Sequence, residues 1–282
     1  MTYSVFDAHA DTLMRLSSAQ EYLEGNSRTQ LDMPRALSGS VSHLVTAICA
    51  EAEKEPDAAL DRGISMYKEI VHHSSIELHL MLEGCQPLVD LPRMNEIIEM
   101  LSIVSLTWNG MNSLGGGIGT DTGLTEKGKQ FAAEMDRSGI ILDVSHLCDR
   151  SRRDLLSLGL RAVATHCNCR AVHDVQRNLP DDDIKEIAAS GGVVGITFVP
   201  YFLGSNASLD TIADHLEHLV ELTGISSAGF GSDFDGVGDL PTGMKDCTSW
   251  PDLLEILDKR GWSGDDIASV ADRNWRRVFL NN

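Results

Sequence analysis

A histidine and a carboxylate two residues apart, His9 and Asp11, close the apolar run Val5-Phe6-Asp7-Ala8-His9-Ala10-Asp11-Thr12 near the start of the chain. On an extended segment, residues at spacing two share a face, so the imidazole and the carboxylate point the same way. That pair suits a divalent ion of the zinc type, held rigidly at a strand end. It also suits a plainer role, with His9 as a core residue and Asp11 as the cap of a helix over Thr12 to Ser17. Further ligands at the ends of other strands decide between the two.

Those ligands depend on which elements the chain can form. Short β-branched or apolar runs bounded by turn formers predict eight buried strands: Val5 to His9, His43 to Ile48, Leu78 to Leu82, Ile103 to Thr107, Ile140 to Ser145, Ala162 to Thr165, Val193 to Phe198 and Ala228 to Ser232. Amphipathic stretches separate them, at Ala58 to His72, Arg93 to Leu101, Thr125 to Arg137, Arg150 to Leu158, Asp181 to Ala189 and Leu209 to Leu222. Thr125 before Glu126 and Pro180 before three aspartates are helix starts; Gly139 and Gly191 are stops. Leu16 to Ser40 reads as a loop with at most one short helix, and Gly115-Gly116-Gly117 as the most flexible stretch. Three helices, near Pro251 to Lys259, Gly264 to Val270 and Asn274 to Leu280, end the chain. The alternation predicts an α/β fold, a single (β/α)8 TIM-type barrel over 1–282, with an open doubly wound sheet as the alternative.

In such a barrel all eight C-terminal strand ends face one crevice. His9 and Asp11 follow the first strand, Glu83 the third, His146 the fifth, His166 the sixth, and Asp233 and Asp235 the eighth. Each has a plain reading of its own, such as a helix cap for His146 or a turn carboxylate for Glu83, but those readings leave the shared rim unexplained. Together the residues suffice for two metal ions with Glu83 as a bridging carboxylate. Asp143 reads as a supporting partner of His146. The other histidines, including His43 and His79, fall on helices or early in strands and read as packing or surface residues.

Composition narrows the function classes. With 23 basic against 42 acidic residues in 282, the net charge is −19, which repels nucleic acid and anionic lipid surfaces. No apolar run reaches the ~18–20 residues of a membrane span, and the N-terminus carries no basic and apolar leader, so a cytoplasmic location is expected. Six cysteines without framework spacing read as free thiols. Cys167 and Cys169 follow His166, but thiolate metal sites recruit more cysteines at recognisable spacings.

The motifs resemble those of the membrane (renal) dipeptidase family, the M19 metallopeptidases, over almost the whole chain. The resemblance rests on Asp7-Ala8-His9-Ala10-Asp11, Glu83-Gly84, Gly123-Leu124-Thr125, Leu142-Asp143-Val144-Ser145-His146, Thr165-His166, Arg177-Asn178-Leu179-Pro180-Asp181-Asp182 and Gly229-Phe230-Gly231-Ser232-Asp233-Phe234-Asp235-Gly236. It implies a distorted barrel with two Zn2+ per chain, His9 and Asp11 on one ion, His146 and His166 on the other, and Glu83 bridging. Such an ion pair would generate hydroxide from a shared water at neutral pH. By the same resemblance Asp233 is the catalytic proton acceptor, Arg177 grips the free carboxylate of a small dipeptide, L,L or L,D, and the assembly is a homodimer. Asp235 reads as supporting structure.

The chain departs from the family at Leu106-Thr107-Trp108-Asn109, where mammalian members carry a substrate-binding histidine after Leu-Thr. Trp108 offers only an indole N–H, so the indole, Asn109 or the metal takes over that contact. Secretion and lipid-anchor signals of the membrane-bound relatives are also missing from the sequence, which resembles a soluble prokaryotic-type member. Two other functions stay open on the sequence: a metal-dependent hydrolase of another amide or lactam, and a catalytically silent metal-binding barrel, which retention of the five ligands and Asp233 disfavours.

Overall fold

Buried apolar runs need both faces covered, and in this chain the cover comes from helices outside and from other strands inside. The computed structural model describes residues 3–89 and 94–280. Among the described residues eight strands occur in the expected order: β1 (Val5–Ala10), β2 (Val41–Ile48), β3 (Glu77–Glu83), β4 (Leu101–Ser105), β5 (Ile141–Asp143), β6 (Ala162–Val163), β7 (Val194–Ile196) and β8 (Ala228–Phe230). All pairings between them are parallel, β1 through β6 in one curled sheet and β7 with β8. Parallel bridges Ala164–Val194 and Ala10–Phe234 close the ring. The fold is a distorted (β/α)8 barrel, not an open sheet.

Two cores result. Phe6, Ala8, Val45, Ala47, Met81, Ile103, Ile141, Val163 and Val193 pack together with Trp275 and Val278 of the last helix, Asn274–Leu280. That cluster is the barrel interior, plugged by the chain's C-terminal helix. The indole Nε1 of Trp275 donates to the Phe230 carbonyl at 3.0 Å, and the ring lies so close to Gly229 that a Cβ there would meet it at 2.4 Å. A larger cluster fills the layer between strands and outer helices. No helix among the described residues is long and apolar enough to cross a membrane.

Most helices match expectation, including Pro56–Val71, Glu126–Arg137, Asp149–Leu156, Asp181–Ala189 and Leu209–Thr223. Of the stretch from Arg93 to Leu101, Met94–Ile98 is helical and Arg93 lies outside the described residues. The segment Leu16 to Ser40 departs from expectation: it holds two helices, Ala19–Leu23 and Met33–Ser38. The second is started by the Asp32 side chain, which accepts from Arg35 N, with Pro34 in its first turn. Gly115, Gly116 and Gly117 are buried and packed, since a Cβ on Gly117 would lie 1.9 Å from the Trp108 carbonyl. Those glycines permit close backbone approach.

Strands β5 and β6 end earlier than their apolar runs. Asp143 Oδ1 accepts from Ser145 N at 3.0 Å and Thr165 N at 2.9 Å, so a side chain replaces the ladder and the backbone is free to turn into the rim.

Candidate active site

Five side chains converge at the C-terminal end of the barrel. His9 lies in β1 with Asp11 just past it, Glu83 is the last residue of β3, and His146 and His166 each follow their strand by three residues. Glu83 sits between the histidines: Oε2 is 3.9 Å from His9 Nε2, and Oε1 is 2.9 Å from His146 Nε2 and 3.4 Å from His166 Nε2. Asp11 Oδ2 and Asp233 Oδ1 each lie 3.8 Å from His9 Nε2. Asp11 makes no capping hydrogen bond to the helix Thr12–Arg15 that follows it, so its plain reading fails.

Neighbouring groups set which imidazole nitrogen faces inward. Thr165 Oγ1 donates to Asp143 Oδ2 at 2.7 Å and thereby accepts from His166 Nδ1 at 2.8 Å, which leaves the His166 Nε2 lone pair facing Glu83. Asn109 Oδ1 lies 3.2 Å from His146 Nδ1 and orients that ring the same way. On the opposite side, Asp7 accepts from Ser232 N at 2.8 Å and Ser232 Oγ at 2.6 Å, tying β1 to the loop that carries Asp233. His146 and Asp233 both adopt left-handed backbone, φ 68° and 65°, a costly conformation for non-glycine residues that here aims their side chains into the crevice. Gly236 has to be glycine: a Cβ there would lie 2.1 Å from Asp233 Oδ1 and 2.4 Å from Asp11 Oδ2.

Charge is concentrated and unbalanced. Burial disfavours the His9 cation, yet Glu83, Asp11 and Asp233 outweigh it and lift its pKa to about 10. Burial raises Asp233 to about 7, with Asp11 and Glu83 adding to the rise against the pull of His9 and Arg177. Burial, then the positive field of His9 and Arg177, holds His166 well below the usual imidazole range. Three buried atoms here, His9 Nδ1 and Nε2 and Asp11 Oδ1, have no hydrogen-bond partner among the described residues, and Glu83 Oε1 faces only the His146 and His166 ring nitrogens. Buried unpaired polar atoms cost ~1–3 kcal/mol each. His9, Glu83 and His166, and again His9, Asp11 and Asp233, bring ligand atoms within 4.8 Å of one another. Mixed imidazole and carboxylate donors, buried and unpaired, fit divalent metal.

The cluster opens into a cleft of about 220 Å³ lined by Asp11, Glu83, Trp108, Asn109, His146 and Asp233. This is below the ~300 Å³ at which drug-sized sites begin, and suits a small ligand. Arg177 is 5% exposed, with its guanidinium 5.6 Å from the ring of Phe202, which also lines the cleft. Its Nη1 donates to Cys167 Sγ at 2.8 Å, while Nε and Nη2 are buried without partners among the described residues. Among the described residues no carboxylate pairs with this cation.

Of the residues that the sequence singled out for the rim, Asp11, Glu83, His146 and Asp233 line one cleft, and His9 and His166 adjoin them from behind. Asp235 is set back, accepting from Thr12 Oγ1 at 2.5 Å and Gln30 N at 2.6 Å, a supporting role. Cys167 serves Arg177, and Cys169 accompanies the buried His215, so neither is arranged for metal. Asp143 acts on His166 through Thr165, where the sequence had suggested His146. Sequence reasoning missed Glu51, whose carboxylate accepts from Trp108 N at 3.1 Å, Gln86 N at 2.8 Å and Asn112 Nδ2 at 2.8 Å, and so shapes the loop after β4. Nothing local marks it, because its partners lie 35 to 61 residues away. Ser232 and Thr165 were closer to hand: each stands opposite an aspartate that precedes a rim histidine.

A barrel with imidazoles and carboxylates gathered at its C-terminal rim has the architecture of metal-dependent hydrolases. The profile of the membrane dipeptidase family (peptidase family M19) matches residues 66–281, and the chain belongs to that family. An uncharacterized dipeptidase of Schizosaccharomyces pombe is 35% identical over 165 residues, covering 57% of this chain but only 40% of that relative's length. Among solved structures, the M19 metallopeptidase called dipeptidase AC superposes with TM-score 0.88 at 26% identity, over 99% of this chain and 98% of that one. A Rhodobacter sphaeroides metallopeptidase liganded with a phosphinate mimic of the dipeptide L-Ala-D-Ala superposes with TM-score 0.89 at 25% identity, over 99% of both chains.

Proposed function

We propose that the protein is a zinc-dependent dipeptidase with a two-metal centre, acting on small dipeptides of L,L and L,D configuration. The observation that carries this reading is the buried, unpaired guanidinium edge of Arg177 behind Phe202 of the cleft wall, together with the unpaired His9 and Asp11 atoms of the ligand cluster. A fixed cation next to the wall of a small cleft would favour a substrate with a free carboxylate that reaches it. The M19 membership and the dipeptide mimic bound by the Rhodobacter sphaeroides relative support the same substrate class.

His9 and Asp11 would hold one ion, His146 and His166 the other, with Glu83 between them. When bound, such ions supply Lewis acidity and lower the pKa of an attacking water. The chain's own residues supply the rest. Arg177 anchors the C-terminal carboxylate, which fixes the scissile carbonyl in the cleft. Asp233, a buried carboxylate 3.8 Å from His9 Nε2, takes the proton of the attacking water as the new C–O bond forms. It returns that proton to the departing amine as the C–N bond breaks, and two amino acids result. Trp108 and Asn109 are part of the cleft wall, where Asn109 also keeps the His146 ring in register.

The test is turnover of a panel of L,L- and L,D-dipeptides with their C-terminal amides as controls, before and after chelation and zinc restoration. Zinc-dependent cleavage of the free acids with loss on amidation is expected. Equal cleavage of amides, or activity confined to cyclic amides, would refute the carboxylate-anchoring role and favour a different amide hydrolase.

A further inference from the structure

The N-terminal end of the barrel carries a second cluster of metal-ligand side chains, away from the cleft. His43 is the third residue of β2, and Glu77 and His79 are the first and third of β3. The parallel register sets His43 beside Glu77 and Val45 beside His79. His43 Nδ1 lies 3.2 Å from His79 Nε2 and 3.6 Å from Glu77 Oε2. In a tetrahedral zinc site with Zn–N near 2.0–2.1 Å, neighbouring ligand atoms stand ~3.3 Å apart. These separations match that spacing, and the three ligand atoms lie within 4.8 Å of one another.

Rigidity and access both favour a bound ion. The rings of His43 and His79 are nearly parallel, 14° apart, and Phe6 stacks on both at 5.0 and 5.3 Å. Phe279 closes over His79 at 4.9 Å. His43 and His79 are buried at 2% and 8% exposure, while the Glu77 side chain is 57% exposed and leaves a path from solvent. Burial disfavours the protonated rings, which keeps lone pairs available. The charged groups around His43 are Glu77, Asp272 and Arg276, and Arg276 Nε is already paired with both Asp272 oxygens at 3.0 and 2.8 Å.

We propose that His43, His79 and Glu77 form an additional binding site for a zinc-class divalent ion at the floor of the barrel, clamping the first residues of β2 and β3. It is distinct from the cleft and does not depend on the function proposed for it.

The experiment is zinc counting on the whole chain after chelation and reloading, by metal analysis and by calorimetric titration with Zn2+. The wild type is compared with Glu77→Gln and His79→Gln. Removing one ligand of three is expected to weaken zinc at one class of site by roughly 100-fold, lowering the bound zinc by one equivalent while dipeptide turnover holds. Glu77→Gln keeps the test decisive if His79→Gln fails to fold, because Glu77 is exposed. Identical stoichiometry and affinity in wild type and Glu77→Gln would overturn the proposal and leave the two rings as a hydrogen-bonded pair. So would a floor site that fills only at millimolar zinc.

Discussion

Two buried imidazoles at opposite ends of this barrel, His9 at the rim and His79 at the floor, are held in opposite charge states. At the C-terminal rim His9 is fully buried, yet Glu83, Asp11 and Asp233 hold its proton up to a pKa of about 10. At the floor burial leads: it lowers His43, with Arg276 adding to the effect, and drives His79 down to about 4, with the neighbouring His43 adding to it. The difference lies in the number of buried carboxylates facing the ring. Burial disfavours an imidazolium everywhere, and only a cluster of nearby anions reverses the sign. A divalent ion replacing the His9 proton would meet three carboxylates, whereas one at the floor would meet a single exposed glutamate. The rim is thus the strong, proton-competing site and the floor the weaker one.

Four measurements bear on that contrast, beginning with the largest effect. Asp233→Asn removes the proton carrier while keeping the side chain's shape, and kcat should fall by roughly 10²–10⁴ with bound zinc retained. Unchanged kcat would dismiss Asp233 as the proton carrier. Arg177→Ala should raise KM by roughly 100-fold on free dipeptides and leave the weak residual kcat/KM on the amides unchanged, a split visible in steady-state kinetics on the two series. Asp143→Asn, which loosens Thr165 and hence the His166 tautomer, should weaken zinc at the rim by about 10–100-fold in competition with a chelator. An unchanged affinity would show that the Asp143–Thr165 seam serves the fold alone.

The smallest effect at neutral pH belongs to the floor. Above pH 6.5 His79 is neutral in both folded and unfolded chain; between 6.5 and about 4 the unfolded chain binds a proton that the folded chain refuses. Stability of the metal-free protein should therefore fall as pH falls through that window, by at most ~3 kcal/mol from this residue. Urea titrations at pH 7 and pH 4.5 should show a smaller difference for His79→Phe than for wild type. An equal difference would assign the acid sensitivity elsewhere, with His215, also lowered to about 4, the next residue to replace.

Much of this architecture is written locally. The eight strands follow from short apolar runs, because a strand buried on both faces must be apolar at every position. The rim residues follow from barrel geometry, which sends every C-terminal strand end to one crevice. Thus His9, Asp11, Glu83, His146, His166 and Asp233 could be named as candidates before their distances were known. The family motif around Arg177 brought that residue in as well, although no local pattern places it beside the cleft.

Tertiary structure decided the rest. That Asp11 is no helix cap, that Asp143 reaches His166 through Thr165, and that Cys167 receives Arg177 all depend on side chains meeting across strands. The pairing of His43 with His79 depends on a register between β2 and β3 that no periodicity specifies, since a slip of one residue would turn one ring to the other face. Glu51 is the plainest case: an unremarkable glutamate in sequence, it holds Trp108, Gln86 and Asn112 together in the fold. Residue types and spacing determined the elements and the chemistry available, because those are properties of a segment. Which proton each group holds, and which neighbour fixes it, are properties of a closed barrel and appear only when its distant segments meet.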